Sequence, residues 1–208
     1  MNGELRIAIL AAGQAHRFGG EKLDMPVAGR SLGRFALDSA LQLDAPRPVI
    51  IVREPVPDFA RRAAEEGVAE LILNPRADEG LATSVALAAR SAALAGSRAL
   101  LLMLADMPLV SPATLSRLAA SAAPGRPAAV RHPDGNAGIP ACFTSDQFAA
   151  LQELRGDRGA AALLRQAEVS LIDASAAELR DIDTRADYGE FEALVRAGQG
   201  KSGVPRPG

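Results

Sequence analysis

The chain has 208 residues, 48% of them apolar, 23% charged and 3% aromatic, with no tryptophan and a net charge of −2. That balance supports a globular core. The scarcity of aromatics excludes a base-stacking platform, and the near-neutral charge excludes a general basic footprint, so no nucleic-acid partner is expected. The single cysteine, Cys142, excludes an internal disulfide and a cysteine-ligated zinc site, and its apolar surroundings suit a small core residue.

Apolar runs rich in branched residues and lacking polar alternation predict strands over 5–12, 48–52, 69–73 and 98–105, each covered on both faces. Helical periods fall between them. Ser31 is placed to cap a helix whose Leu32, Phe35, Ala36, Ser39, Ala40 and Leu43 share one face. A second helix is expected over 57–67 and a third over 81–95, stopped by Gly67 and Gly96. Ser111 and Pro112 mark cap and first residue of a fourth.

Strand and helix in alternation imply a mainly parallel sheet with helices on both sides. Further along, AAVRH and GIPACF are expected to be strands around the turn PDGNAG, and GDRGAAALLRQ a capped helix. Thr184 opens a last helix, with Asp187 in the capping-box position. Residues 1–197 are expected to form one domain, with 198–208 a disordered Gly/Pro-rich tail. The longest apolar run, 99–105, is far short of the roughly 20 residues that span a bilayer. The start of the chain lacks a secretion-signal pattern, so a cytoplasmic protein without membrane partners is expected.

In an open parallel sheet, ligands bind beyond the carboxyl ends of strands. The first strand runs into LAAGQAHRFGGEKL, residues 10–23, and the fourth delivers Asp106 after an unbroken apolar run. The loop is neither a dinucleotide fingerprint nor a P-loop, because Lys22 is followed by Leu23. Glycine-rich loops expose N–H groups to phosphates, and Arg17 and Lys22 can neutralise them. A carboxylate opposite such a loop suits Mg²⁺, which takes one or two carboxylates plus phosphate oxygens; Asp183 offers the second. Taken singly, Gly13, Gly19 and Gly20 also suit a long loop, His16 an exposed loop position, and Asp183 a surface acid or cap. Together these residues suggest a nucleoside triphosphate held on Mg²⁺.

These motifs resemble the MobA-like nucleotidyltransferases, most closely the molybdenum cofactor cytidylyltransferase branch. LAAGQAHRFGGEKL resembles the family's Leu-Ala-Ala-Gly-x-x-x-Arg-hydrophobic-Gly-x-x-Lys signature. NPRADEGLATSVALAA, LADMPLVSPATL, LRGDRGAAALL and DIDTRADY follow in the family's order. The resemblance implies a three-layer α/β/α, Rossmann-like nucleotide-diphospho-sugar transferase fold. It also implies transfer of a nucleoside monophosphate from a triphosphate to an acceptor phosphate, with pyrophosphate released.

Carried over by position, Leu10, Ala11, Ala12 and Gly13 contact base and phosphates. Arg17 and Lys22 bind the triphosphate, with Lys22 stabilising the leaving pyrophosphate; Ser84 contacts the nucleotide; and Asp106 with Asp183 holds Mg²⁺. Ala12, where guanylyl-transferring relatives tend to carry glycine, leans the reading towards CTP, and molybdopterin is the implied acceptor. Ile139 stands where the acceptor-side motif usually has histidine, which keeps a sugar phosphate or another small phosphorylated acceptor open. A non-catalytic binder that hands cofactor to a molybdoenzyme partner is the reading from a different class.

Overall fold

The computed structural model describes residues 5–13, 22–156 and 159–201. In chain order the first half comprises β1 (Leu5–Leu10), β2 (Pro26–Val27), β3 (Arg30–Ser31), α1 (Leu32–Ala40), β4 (Val49–Val52), α2 (Asp58–Glu65), β5 (Glu70–Leu73) and α3 (Leu81–Leu94). It continues with β6 (Ala99–Leu104), α4 (Pro112–Ser121), β7 (Ala128–Arg131), β8 (Ala137–Thr144), α5 (Phe148–Glu153), α6 (Ala161–Leu164), β9 (Ser170–Ile172) and α7 (Arg185–Lys201). The main sheet has seven strands in the order β5-β4-β1-β6-β8-β7-β9. β5, β4, β1 and β6 are parallel; β8 runs antiparallel to β6 and β7, and β9 is parallel to β7. One strand direction therefore dominates, and only β8 opposes it.

Alternation along the strands divides the interior into two layers. Ile7, Ile9, Ile50, Val52, Leu101 and Met103 face α1, α2 and α4. Ala8, Leu10, Val49, Ile51, Leu100 and Leu102 face α3, α5 and α6. This is the three-layer α/β/α arrangement, and it makes β4 and β6 apolar at every position and β1 at every position but Arg6, whose guanidinium pairs with Glu70 of the edge strand. β5 departs from that expectation. It is the sheet edge, and its Glu70 and Leu73 are exposed.

Several helix signals read from the sequence stand. Gly67 and Gly96 end their helices at positive φ (+70° and +64°), which costs glycine nothing. Ser111 Oγ accepts from the Thr114 N–H at 3.2 Å, with Pro112 as first helical residue. Thr184 and Asp187 exchange bonds across the start of α7 (2.8 and 3.2 Å). Others are corrected. Ser31 occupies the cap position of α1, but its side chain makes no capping bond, and Leu43 lies beyond the helix end. The helix expected across 156–166 is only the short α6, because Gly159 at positive φ (+48°) precedes it and Ala160 is its cap. α7 runs to Lys201, past the start of the expected tail, and 202–208 lie outside the described residues.

Candidate functional site

Leu10 and Leu104 pair at the carboxyl ends of β1 and β6. The ladder continues one step, with Ala11 N–H donating to the Ile51 carbonyl at 2.8 Å and Ala105 N–H to that of Leu10 at 3.1 Å. Ala11 and Ala12 are buried, while Gly13 is exposed, and no described atom comes within 4 Å of where its Cβ would stand. Gly13 and Asp106 therefore leave the sheet at one edge, as the topology required.

Lys22 reaches that edge from a one-turn 3₁₀ helix spanning Lys22–Asp24. The turn is pinned from its other end: Asp24 accepts the N–H groups of Asp58 and Phe59, both at 2.7 Å. Those N–H groups open α2, whose own cap position, Pro57, provides no side-chain cap. Asp24 thus fastens the lysine's turn to a helix start.

Lys22 is 8% exposed, and its Nζ lies 2.8 Å from Asp106 Oδ2 and 3.0 Å from Asp183 Oδ1. Asp183 is delivered by the segment before α7, where the Ile182 N–H donates to the Asp106 carbonyl at 3.0 Å. Ile182 itself is fully buried among Val27, Leu32, Phe35 and Phe191. Burial pulls the Lys22 ammonium down, but the charges and hydrogen bonds of Asp106 and Asp183 outweigh it and hold its pKa above the usual lysine value. Lys22 is a full cation at neutral pH.

A third acid, Asp181, joins this cluster. The protein around it, then the like charges of Asp106 and Asp183, push its carboxyl up to about 6, against the pull of His132 and Lys22. Asp181 is exposed, so solvent softens that push.

The donors are all hard carboxylate oxygens, the type Mg²⁺ prefers. Among the described residues no group of three or more acidic, histidine or cysteine side chains is arranged to hold a metal by itself. The set therefore fits an ion that takes Asp106 and Asp183 and completes its shell with phosphate oxygens and water. Lys22 Nζ sits between those two carboxylates and marks where positive charge belongs.

Ser84 lies apart from the cluster, buried in the first turn of α3, where its Oγ accepts from Asn74 Nδ2 at 2.9 Å. Ile139 turns its side chain into the α3-side core and is 9% exposed. Its carbonyl instead faces His132, whose Nε2 lies 3.0 Å away and donates to it. Arg17, His16, Gly19 and Gly20 lie outside the described residues.

The structure therefore assembles Lys22, Asp106 and Asp183, and places Leu10, Ala11, Ala12 and Gly13 on the same edge. Sequence reasoning missed Asp181, although its i, i+2 spacing from Asp183 across an apolar residue was a signal. It also missed Asp24, which carried no signal, and the role of Asn74, which opens the NPRADEGLATSVALAA motif but acts on a residue that only the fold brings near.

Comparison with known proteins agrees with this geometry. Residues 7–171 match the family model described as the MobA-like NTP transferase domain. A probable molybdenum cofactor guanylyltransferase of Opitutus terrae is 29% identical, covering 79% of this chain and 82% of its own. The purine catabolism protein PucB of Bacillus subtilis is also 29% identical, covering 86% and 91%. Among solved structures, a nucleotidyl transferase from Methanothermobacter superposes with a TM-score of 0.78 at 21% identity, covering 93% of this chain and 99% of that one.

Proposed function

Since the chain belongs to the MobA-like NTP transferase family, we propose that it is an Mg²⁺-dependent enzyme that moves CMP from CTP onto the phosphate of the molybdopterin cofactor, releasing pyrophosphate. The observation that carries this reading is the Lys22 ammonium held between Asp106 and Asp183 at the carboxyl ends of β1 and β6. An oxygen of the acceptor phosphate attacks the α-phosphorus in line, the bond to the β-phosphate breaks, and pyrophosphate leaves with the electron pair. The acceptor is ionised at neutral pH, so the residues need to supply position and charge rather than a base.

Lys22 is the buried cation that meets the charge growing on the leaving group. Asp106 and Asp183 would hold Mg²⁺, which would supply positive charge to offset that of the phosphates. The backbone from Leu10 to Gly13 lines the edge where the triphosphate lies, Arg17 adds a second cation to it, and Ser84 meets the nucleotide. A cytoplasmic location, and delivery of the product to a molybdoenzyme partner, belong to the same proposal.

The base assignment follows Ala12, whose methyl narrows the space beside the base; such a difference is worth about 1–3 kcal/mol. The name of the Opitutus relative favours a second reading, guanylyl transfer with the same residues in the same roles. Calorimetric titration with ATP, GTP, CTP and UTP, with and without Mg²⁺, separates the two. Selective, Mg²⁺-dependent CTP binding supports the first and selective GTP binding the second. Binding of none removes the transferase proposal. Product formation with molybdopterin and with sugar phosphates then fixes the acceptor, and turnover of sugar phosphates alone would overturn molybdopterin.

A further inference from the structure

We infer that Asn74 is a positioning residue for nucleotide recognition: its amide fixes the Ser84 hydroxyl as a hydrogen-bond donor, so the nucleobase must present an acceptor atom there. This deepens the proposed function and rests on its placement of Ser84 against the nucleotide.

Asn74 follows β5 directly, is 2% exposed, and is anchored by its own N–H donating to the Val52 carbonyl at 2.7 Å. The sense of its side chain is set by three bonds. Its Oδ1 accepts from the Arg76 N–H at 3.0 Å, and a backbone N–H can only donate. Its Nδ2 must therefore face the two hydroxyls, and it donates to Thr83 Oγ1 and Ser84 Oγ, both at 2.9 Å. A flipped amide would set NH₂ against the Arg76 N–H, losing that hydrogen bond, while the two hydroxyls, which donate or accept, fit either sense.

The hydroxyl protons follow from this. Thr83 donates its own to the carbonyl of Arg76 or Gly80, at 3.0 and 2.9 Å. Ser84 Oγ is already an acceptor from Asn74, and no described residue accepts its proton. The Ser84 O–H is thus a buried donor awaiting a partner. A carbonyl oxygen or an unprotonated ring nitrogen on a base edge satisfies it; an N–H or NH₂ in that place is repelled.

Position favours the base over the phosphates. Asn74 leaves the sheet at β5, three strands from the β6 end that carries Asp106. At about 4.8 Å between neighbouring strands this is about 14 Å, which separates a base end from a phosphate end. No hydrogen bond joins the Asn74 network to the Lys22 cluster among the described residues.

The test is a double-mutant cycle read by calorimetry with the preferred triphosphate. Asn74→Asp keeps the size but can only accept, so it claims the Ser84 proton and reverses its sense. Ser84→Ala and Asn74→Asp are each expected to weaken binding about tenfold, and the double variant no further. In steady state, KM for the nucleotide should rise more than kcat falls. Normal binding by Ser84→Ala would overturn the placement of Ser84 against the nucleotide, while leaving the transferase chemistry at Lys22 standing. A weakened Ser84→Ala beside a normal Asn74→Asp, or losses that multiply in the double variant, would overturn the role of Asn74. If the buried carboxylate prevents folding, Asn74→Ala runs the same cycle. Its loss must disappear in the Ser84→Ala background, and a loss that persists there overturns the inference.

Discussion

Lys22 Nζ stands 2.8 Å from Asp106 Oδ2, with Asp183 Oδ1 a further partner at 3.0 Å, so one cation already occupies the place between two carboxylates. A divalent ion drawn to those oxygens has to displace the ammonium or share the carboxylates with it. In the absence of nucleotide, Mn²⁺ or Mg²⁺ should therefore bind weakly to the wild-type protein. Lys22→Ala should bind either ion more tightly while losing about 10²–10³ in turnover, the usual cost of one donor aimed at developing charge. Calorimetry with the metal alone reads the first effect. Metal affinity unchanged by Lys22→Ala would show that the ammonium and the ion do not compete.

Asp24 links two structures that are distant in sequence, taking both 2.7 Å bonds from the first N–H groups of α2 while forming part of the turn that carries Lys22. Asp24→Ala should lower stability by about 1–2 kcal/mol, as loss of a helix cap does. It should also slow turnover, since Lys22 then hangs from a loosened turn. Urea unfolding and initial rates check the two effects. A stability loss with full activity would leave Asp24 as a cap alone.

The elements were legible where one physical signal dominated. β4 and β6 are apolar at every position, and β1 at all but Arg6, because both faces are covered, and Gly67, Gly96, Ser111 and Thr184 punctuate helices through local chemistry. The site was legible in part: Asp106 and Lys22 sit on strand and loop ends that topology sends to one edge. What was not legible depends on tertiary placement. The exposure of β5 follows from its being the sheet edge, and α6 is short because Gly159 and Ala160 occupy its start. Asp24 is an ordinary polar residue in the sequence, and Asn74 stands out only as the start of the NPRADEGLATSVALAA motif. Their importance comes from Asp58, Phe59 and Ser84, which only folding brings to them.

Glu178 joins the segment before α7 to the start of α4, accepting from Ser111 N–H at 3.1 Å, Thr114 Oγ1 at 2.9 Å and Ser175 N–H at 3.2 Å. Burial works to raise its pKa, but these hydrogen bonds outweigh it and hold the carboxyl down at about 2. A carboxylate depressed in the folded state stabilises above its unfolded value of about 4.3 and loses that contribution as pH falls towards about 2. Glu178→Gln should therefore cost about 1–2 kcal/mol at pH 7, less than full linkage because solvent reaches the group, and much less at pH 2.5. Denaturant unfolding at the two pH values measures this. Equal losses at both would mean that the contacts act without the charge.

Gly138 is the seat of His132. A Cβ at Gly138 would come within 2.6 Å of Cδ2 and Nε2 of that ring, closer than real atoms approach. The ring is fixed there by its bond to the Ile139 carbonyl, at the carboxyl end of β7, where its charge is felt by Asp181. Gly138→Ala should thus drive the imidazole off the Ile139 carbonyl and destabilise the protein by about 1–3 kcal/mol, the range for overpacking. His132→Ala opens the space, so Gly138→Ala should cost much less in that background. Melting temperatures of the four proteins complete the cycle. The same variants bear on the acceptor, because Ile139 is committed to the core and His132, among the described residues, follows the carboxyl end of β7. His132→Ala should raise the acceptor KM with little effect on nucleotide affinity. An unchanged acceptor KM would confine His132 to a packing role, and additive melting effects would mean that ring and methyl do not compete for one space.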